Sequence, residues 1–143
     1  MTEFAGFDHA DVRVNDLHAV EAFYDALMPL LGLPRKRNAF VDAKGEWCDP
    51  PAGTATNVVE YYEPESVGRG ARFLGVIEDR SSTPHPTRIA FRLPLGADWK
   101  TFFELLARIG ARNVELSANI EQYPAIFFED PAGTRLELCW RAA

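Results

Sequence analysis

The stretch His9-Ala10-Asp11-Val12-Arg13-Val14 alternates polar and apolar side chains, and Arg88-Ile89-Ala90-Phe91-Arg92-Leu93 does the same later in the chain. Alternation with a period of two predicts a β-strand that has one face against a core. A pattern with apolar residues three and four positions apart follows each stretch, near 17–31 and 99–109, and predicts a helix. The chain therefore contains two copies of one pattern, a strand followed by a helix.

The ends of both helices are also marked in the sequence. Asp16 and Asp98 stand where a helix N-cap is expected, and Gly32 and Gly110 stand just beyond the last apolar position of each helix. The turn 130–133, Asp-Pro-Ala-Gly, has the composition of a tight type I turn.

Each helix is followed by a region that is rich in strand patterns. The candidate strands are 37–41, 56–62 and 72–77 in the first copy, and 112–116, 123–128 and 134–140 in the second. This order predicts an α+β fold made of two βαβββ modules. We place module one at about 5–80 and module two at about 86–141, within a single domain spanning 1–143.

Composition narrows the class of function. The 143 residues are 47% hydrophobic and 25% charged, with a net charge of −6, so a folded globular chain is expected and a nucleic-acid partner is not. The apolar runs are too short for a membrane span, and the acidic start does not resemble a signal peptide. Only two cysteines are present, Cys48 and Cys139, and we interpret them as reduced thiols of a cytoplasmic protein.

The polar residues of the alternating strands should face away from the helices and line a pocket for a small molecule. These outward sets are expected to share one face: His9, Asp11 and Arg13; Arg88, Ala90 and Arg92; Arg135, Glu137 and Cys139. Candidate pocket walls are aromatic: Trp47, Tyr61, Tyr62 and Tyr123.

Five segments together resemble the vicinal oxygen chelate superfamily, which includes glyoxalase I, bleomycin-resistance proteins and extradiol dioxygenases. The segments are 8–17, 23–27, 31–33, 88–91 and 127–138. The resemblance implies the glyoxalase/dioxygenase-type fold, in which paired modules form an open, barrel-like mixed sheet around a groove. It also implies a homodimer, because members of the family often build their grooves across two chains.

The resemblance further implies four positions for metal ligands. His9 matches the first and Glu137 the fourth, whereas Arg88 occupies the third, where metal-binding members commonly have His. The second position falls within 72–78, where only Glu78 is a donor. One divalent metal (Fe, Ni, Zn or Mn) would then be held by His9 and Glu137, completed by Glu78, Cys139, His85 or a partner chain.

The other interpretation is that Arg88 replaces the metal. Arginine has no acceptor atom and stays charged, so it would repel a cation but can clamp a carboxylate or phosphate. Arg92 or Arg13 would be the second binding group, and no metal would be needed. Glu137 is the candidate catalytic base, because a carboxylate in a partly apolar groove can have its pKa raised.

Two functions follow from these interpretations. The first is a metal-dependent lyase, isomerase or oxygenase that acts on a small oxygenated substrate. The second is a metal-free protein of the bleomycin-resistance type that binds and sequesters a drug or metabolite. The sequence contains no glycine-rich phosphate loop, nucleophile elbow or CxxC pair, and it leaves open whether the protein is an enzyme.

Overall fold

The computed structural model describes residues 1–66 and 68–141. Within these ranges the elements follow the predicted order. They are β1 (His9–Val14), α1 (Leu17–Leu27), β2 (Arg35–Ala39), β3 (Val58–Tyr62), β4 (Phe73–Glu78), β5 (Arg88–Arg92), α2 (Trp99–Arg108), β6 (Arg112–Leu116), β7 (Ala125–Glu129) and β8 (Arg135–Cys139).

The strands form two four-stranded sheets. Sheet one has the order β1-β4-β3-β2 and sheet two the order β5-β8-β7-β6. In each sheet the first strand of the module runs parallel to the last, and the remaining neighbours are antiparallel. The predicted α+β fold of two βαβββ modules is confirmed, and the sheets stay open instead of closing into a barrel.

The helices begin and end where the sequence indicates. The Asp16 carboxylate accepts a hydrogen bond from the backbone N–H of Ala19 at 3.2 Å, and the Asp98 carboxylate accepts one from Lys100 at 3.1 Å. Both contacts satisfy backbone donors that have no partner inside a helix. After α1 the chain tightens into a short 3₁₀ turn, Met28–Leu31, and then reaches Gly32 at φ 90°. Neither helix has the length and apolar character of a membrane span among the residues that the structure describes.

One apolar core lies between the two sheets. It joins the inward faces of both sheets to the buried sides of the helices, for example Val12 and Leu74 of sheet one with Leu136 and Leu138 of sheet two. The Phe23 ring of α1 lies 6.3 Å from the Phe128 ring of β7. The modules therefore pack back to back, and their polar faces point away from the shared core.

A buried polar contact joins the modules at the same place. The hydroxyl of Tyr24 in α1 donates to Oδ2 of Asp130, at 2.6 Å. The other oxygen of Asp130 accepts the backbone N–H groups of Ala132 and Thr134, so this carboxylate also shapes the β7–β8 turn. Asp130 is 0% exposed. Burial and the neighbouring Asp130 raise the pKa of Tyr24 well above its usual value, so the phenol remains a donor.

We expect Tyr24→Phe to lower the free energy of unfolding by about 1–3 kcal/mol, because it leaves a buried carboxylate oxygen without its donor. Urea denaturation followed by circular dichroism measures the change. The control is Thr83→Val, which removes a hydroxyl group from an exposed side chain. Equal losses in the two variants would contradict a special role for the buried contact.

Candidate functional site

Three sequence-predicted site residues share the polar face of sheet two. Arg88 and Arg92 lie on β5, and Glu137 lies on β8, where its register partner is Ala90 of β5. His9 and Arg13 lie on β1, which belongs to sheet one. The expectation that all the outward sets share one sheet face is therefore wrong within a single chain, because the modules pack through their helices.

The polar face of sheet two carries two neighbouring arginines. Arg88 and Arg135 are register partners on β5 and β8, and the Arg88 guanidinium lies 4.6 Å from the centre of the Phe127 ring. A cavity of about 550 Å³ opens over these three side chains. Within residues 1–66 and 68–141, no carboxylate lies within 4.0 Å of Arg88, Arg92 or Arg135.

A local irregularity of sheet two explains why Arg135 has no carboxylate partner. Its register neighbour on β7 is Glu129, which accepts a hydrogen bond from the Asn113 amide at 3.0 Å. Asn113 has a φ of 51° and lies where the β6–β7 register shifts. The bulge thus places the Asn113 amide against Glu129, and the Arg135 guanidinium faces the cavity.

Glu137 is buried on this face, with 5% of its surface exposed. The Tyr123 hydroxyl donates to its Oε1 at 2.7 Å. That hydrogen bond raises the pKa of Tyr123, which keeps the phenol protonated beside the carboxylate. The Tyr123 ring is parallel to the Phe127 ring at 6.4 Å, so aromatic surface borders both Glu137 and the arginine pair.

His9 begins a continuous stack on sheet one. Its ring lies parallel to the Phe73 ring at 4.5 Å, and Phe73 stacks on Tyr62, also at 4.5 Å. Its Nδ1 is 2.7 Å from a carboxylate oxygen of Asp8, and this hydrogen bond, with smaller help from Asp11, raises the pKa of His9. The other ring nitrogen, Nε2, lies 3.9 Å from Oδ2 of Asp11, so both nitrogens face carboxylates.

Arg13, the remaining predicted binding residue, follows His9 and Asp11 along the same face of β1. Its guanidinium lies 4.0 Å from the Asp79 carboxylate. In the described part of one chain, no hydrogen bond or ion pair connects His9 or Arg13 with Glu137.

Several residues of these faces were not singled out by the sequence analysis. Strand register places three such residues on the polar faces: Arg135, Phe127 and Glu60. The sequence analysis named Arg135 only as a member of an outward-facing set. Among the candidate walls, Tyr62 and Tyr123 lie on the polar faces. Tyr61 instead is buried in the core, where its hydroxyl donates to Asp25 of α1 at 2.8 Å.

Several solved structures have a similar fold, and the similarity extends over nearly the whole chain. A glyoxalase/bleomycin resistance protein from Albidiferax ferrireducens T118 matches with a TM-score of 0.62 and 19% identity, covering 95% of this chain and 98% of that one. The fosfomycin resistance protein FosX from Mesorhizobium loti matches with a TM-score of 0.57 and 14% identity, covering 98% and 95%. The chain has the vicinal oxygen chelate fold.

A third vicinal oxygen chelate structure, FosX from Listeria monocytogenes, was crystallised with Mn(II) and 1S,2S-dihydroxypropylphosphonic acid. It matches with a TM-score of 0.57 and 15% identity, covering 98% of this chain and 95% of that one. No protein-family model matches the sequence, and no curated protein matches it either.

The vicinal oxygen chelate fold implies a metal, and the internal repeat allows the donor set to be tested. His9 is the first residue of β1, and its counterpart, the first residue of β5, is Arg88. Glu137 is the third residue of β8, and its counterpart on β4 is Gly75. Only two of the four repeat-related positions therefore carry donors, and in the described residues of one chain no three His, Cys, Asp or Glu side chains form a metal-binding group. The donor set does not fit a divalent metal.

The additional donors considered from sequence do not complete the set within one chain. Glu78 faces the helix side, where its carboxylate accepts the backbone N–H of Leu17 at 2.9 Å. The ring of His85 is hydrogen-bonded to its own loop through Thr87, at 2.7 Å. Cys139 does lie two residues beyond Glu137, on the same face of β8.

The absence of a side chain at Gly75 makes room for Asp11 on the neighbouring strand. The two residues are register partners, and a Cβ added to Gly75 would collide with an oxygen of the Asp11 carboxylate. Asp11 thus occupies the space that a side chain at position 75 needs.

We expect Gly75→Ala to lower the free energy of unfolding by about 1 kcal/mol or more, because the Asp11 carboxylate must move. In an Asp11→Ala background the same change should cost less, giving a coupling of at least about 0.5 kcal/mol in a double-mutant cycle. Chemical denaturation of the four proteins measures it. Gly70→Ala is the control, since a Cβ there meets nothing within 4 Å. Simple additivity of the two changes would count against the steric explanation.

Proposed function

We propose that the protein binds an anionic small molecule on the polar face of sheet two and needs no metal to do so. The observation that carries the proposal is the pair Arg88 and Arg135, which are register partners on neighbouring strands, with the Arg88 guanidinium over the Phe127 ring. Within residues 1–66 and 68–141, neither arginine has a carboxylate within 4.0 Å. Module one differs in part: Arg13, Arg35, Arg69 and Arg80 each lie within 4.0 Å of a carboxylate, whereas the ion pairs of the described residues include neither Arg37 nor Arg72.

Two neighbouring guanidiniums repel each other, so their proximity has an electrostatic cost that an anion removes. Each guanidinium offers a planar fork of N–H donors that matches carboxylate, phosphate or phosphonate oxygens. Glu115 and Glu129 line the same cavity, and Glu129 already accepts a hydrogen bond from Asn113, so the two guanidiniums are the charged donors that the cavity offers to a ligand. The ligand is therefore an anion, with an apolar part that packs on the Phe127 and Tyr123 rings.

Glu137 supplies the acceptor on this face. Its Oε1 is held by the Tyr123 hydroxyl, while the ligand side remains available to a hydroxyl group or an ammonium group. We propose Glu137 as the general base in any reaction that the site performs, because it lies two residues from Arg135 on the same face of β8, next to the cavity that Glu115 and Glu129 line.

The groove is completed, in this proposal, by a second copy of the chain. The polar faces of the two sheets turn away from each other, so a partner is needed to bring His9 and Arg13 opposite Glu137. Support comes from β1 and β5, which are edge strands of their sheets in the described part of the chain, as β2 and β6 also are. Further support comes from Phe4 and Phe7, which are 79% and 81% exposed.

We also propose a cytoplasmic location for this single two-module domain. The two thiols, Cys48 and Cys139, are both free. Free cysteines are usual in a reducing compartment.

Phenylphosphonate is a suitable probe because it joins a dianionic group to an aromatic ring. We expect Arg88→Gln and Arg135→Gln each to weaken its binding by at least about tenfold, the loss of one charge-assisted contact. Isothermal titration calorimetry measures the affinity. Arg108→Gln, in the last turn of α2, removes the same charge away from the site and should leave the affinity unchanged.

The same titration tests the role of metal. Protein treated with a chelator should bind phenylphosphonate as tightly as untreated protein. Stoichiometric Fe, Ni, Zn or Mn in protein purified without chelator, lost on His9→Ala or Glu137→Gln, would overturn the proposal. That result would favour the metal-dependent lyase, isomerase or oxygenase.

The proposed dimer is tested by light scattering at micromolar concentration. We expect twice the chain mass of 16.0 kDa. A monodisperse monomer would exclude a groove shared between two chains, while the phenylphosphonate titration would still report on the arginine pair.

A further inference from the structure

Module one contains a second cavity, of about 670 Å³, on the helix side of sheet one. It lies between the first turns of α1, strand β2 and the loop 40–57, and so is separate from the polar faces described above. Its apolar floor includes Leu17 and Phe40. A volume of this size accommodates a small organic molecule.

The loop that forms one wall of this cavity is held in a defined shape. Val41 and Trp47 form a β-bridge, which closes residues 41–47 into a small hairpin. The Asn57 side chain pairs with the backbone of Val41 in both directions, accepting its N–H at 2.9 Å and donating to its carbonyl at 2.8 Å. The wall is therefore fixed to the start of β3 at its base.

The charged groups that line the cavity are engaged in ion pairs. Glu21 accepts a hydrogen bond from Lys36 at 2.7 Å, and Glu78 lies 3.5 Å from the Arg80 guanidinium. Glu78 also caps α1 through the backbone N–H of Leu17. Lys36 also pairs with Asp25, so this group of three carboxylates and two cations carries a net charge of −1 and does not favour an anion.

The remaining polar side chains of the wall are unengaged. His18, Asn38, Thr54 and Thr56 line the cavity, and none of their side chains makes a hydrogen bond within residues 1–66 and 68–141. Hydroxyl, amide and imidazole groups both donate and accept hydrogen bonds, as the hydroxyl groups of a ligand do. An aromatic ring such as that of Phe40 packs against the C–H face of a saturated ring.

We propose that this cavity binds an uncharged, polyhydroxylated small molecule, the chemistry shared by free sugars and nucleosides. The ligand's hydroxyl groups bond to Thr54, Thr56 and Asn38, while its less polar face lies on Phe40. The site is independent of the anion site, so the two proposals succeed or fail separately.

Methyl α-D-glucopyranoside and adenosine are the probes, each titrated to about 10 mM to detect dissociation constants near 1 mM. Amide chemical shifts are followed by NMR. We expect at least one probe to cause saturable shifts at His18 and Thr54–Asn57. The double variant Thr54→Val/Thr56→Val should lose them, whereas Thr83→Val, at an exposed position outside the cavity, should keep them. Arg88→Gln/Arg135→Gln should also keep them.

Three results would overturn the proposal. One is the lack of saturable shifts in this region with both probes. Another is unchanged binding in Thr54→Val/Thr56→Val, whose overall spectrum shows whether it is folded. The third is glucose 6-phosphate binding as tightly as the uncharged sugar, since a wall without net positive charge should disfavour the phosphate by about tenfold or more.

Discussion

The hydrogen bond from Tyr24 to the buried Asp130 is the contact on which the arrangement of the modules depends. Asp130 organises the β7–β8 turn through two backbone N–H groups, and the phenol of α1 satisfies its remaining oxygen. A carboxylate without this donor would be costly at zero exposure. The contact therefore fixes the back-to-back packing, which in turn places both polar sheet faces on the outside.

The two modules share a backbone plan but differ in the chemistry of their outward faces. Module one presents an aromatic stack and arginines such as Arg13 that lie near carboxylates. Its Gly75 has no side chain, and the Asp11 carboxylate occupies that space. Module two presents Arg88, Arg92 and Arg135, which have no carboxylate within 4.0 Å among the described residues, and the buried Glu137. The two modules thus have the same backbone arrangement but different residues at equivalent positions. Module one has His9 and Gly75 where module two has Arg88 and Glu137, so the two faces have different chemistry.

Alternation and apolar spacing were enough to predict the element order, the caps at Asp16 and Asp98 and the turn at 130–133, because these depend on local backbone chemistry. The strand ends were less accurate: β2 spans Arg35–Ala39, whereas the sequence indicated 37–41. The pairing of Arg88 with Arg135 depends on register between strands that are far apart in sequence. The placement of His9 on the other sheet depends on how the modules pack, which no local pattern encodes.

The side-chain clamp between Asn57 and Val41 has a mechanical consequence. The long loop between β2 and β3 is closed where it leaves and re-enters the sheet, because Asn57 is hydrogen-bonded to Val41. A change at the tip of the loop is therefore not transmitted to the strands. The tip at Lys44 and Gly45 lies beyond that joint, and a Cβ added at Gly45 would meet no atom within 4 Å. A label or an epitope can accordingly be inserted at this tip without disturbing the sheets.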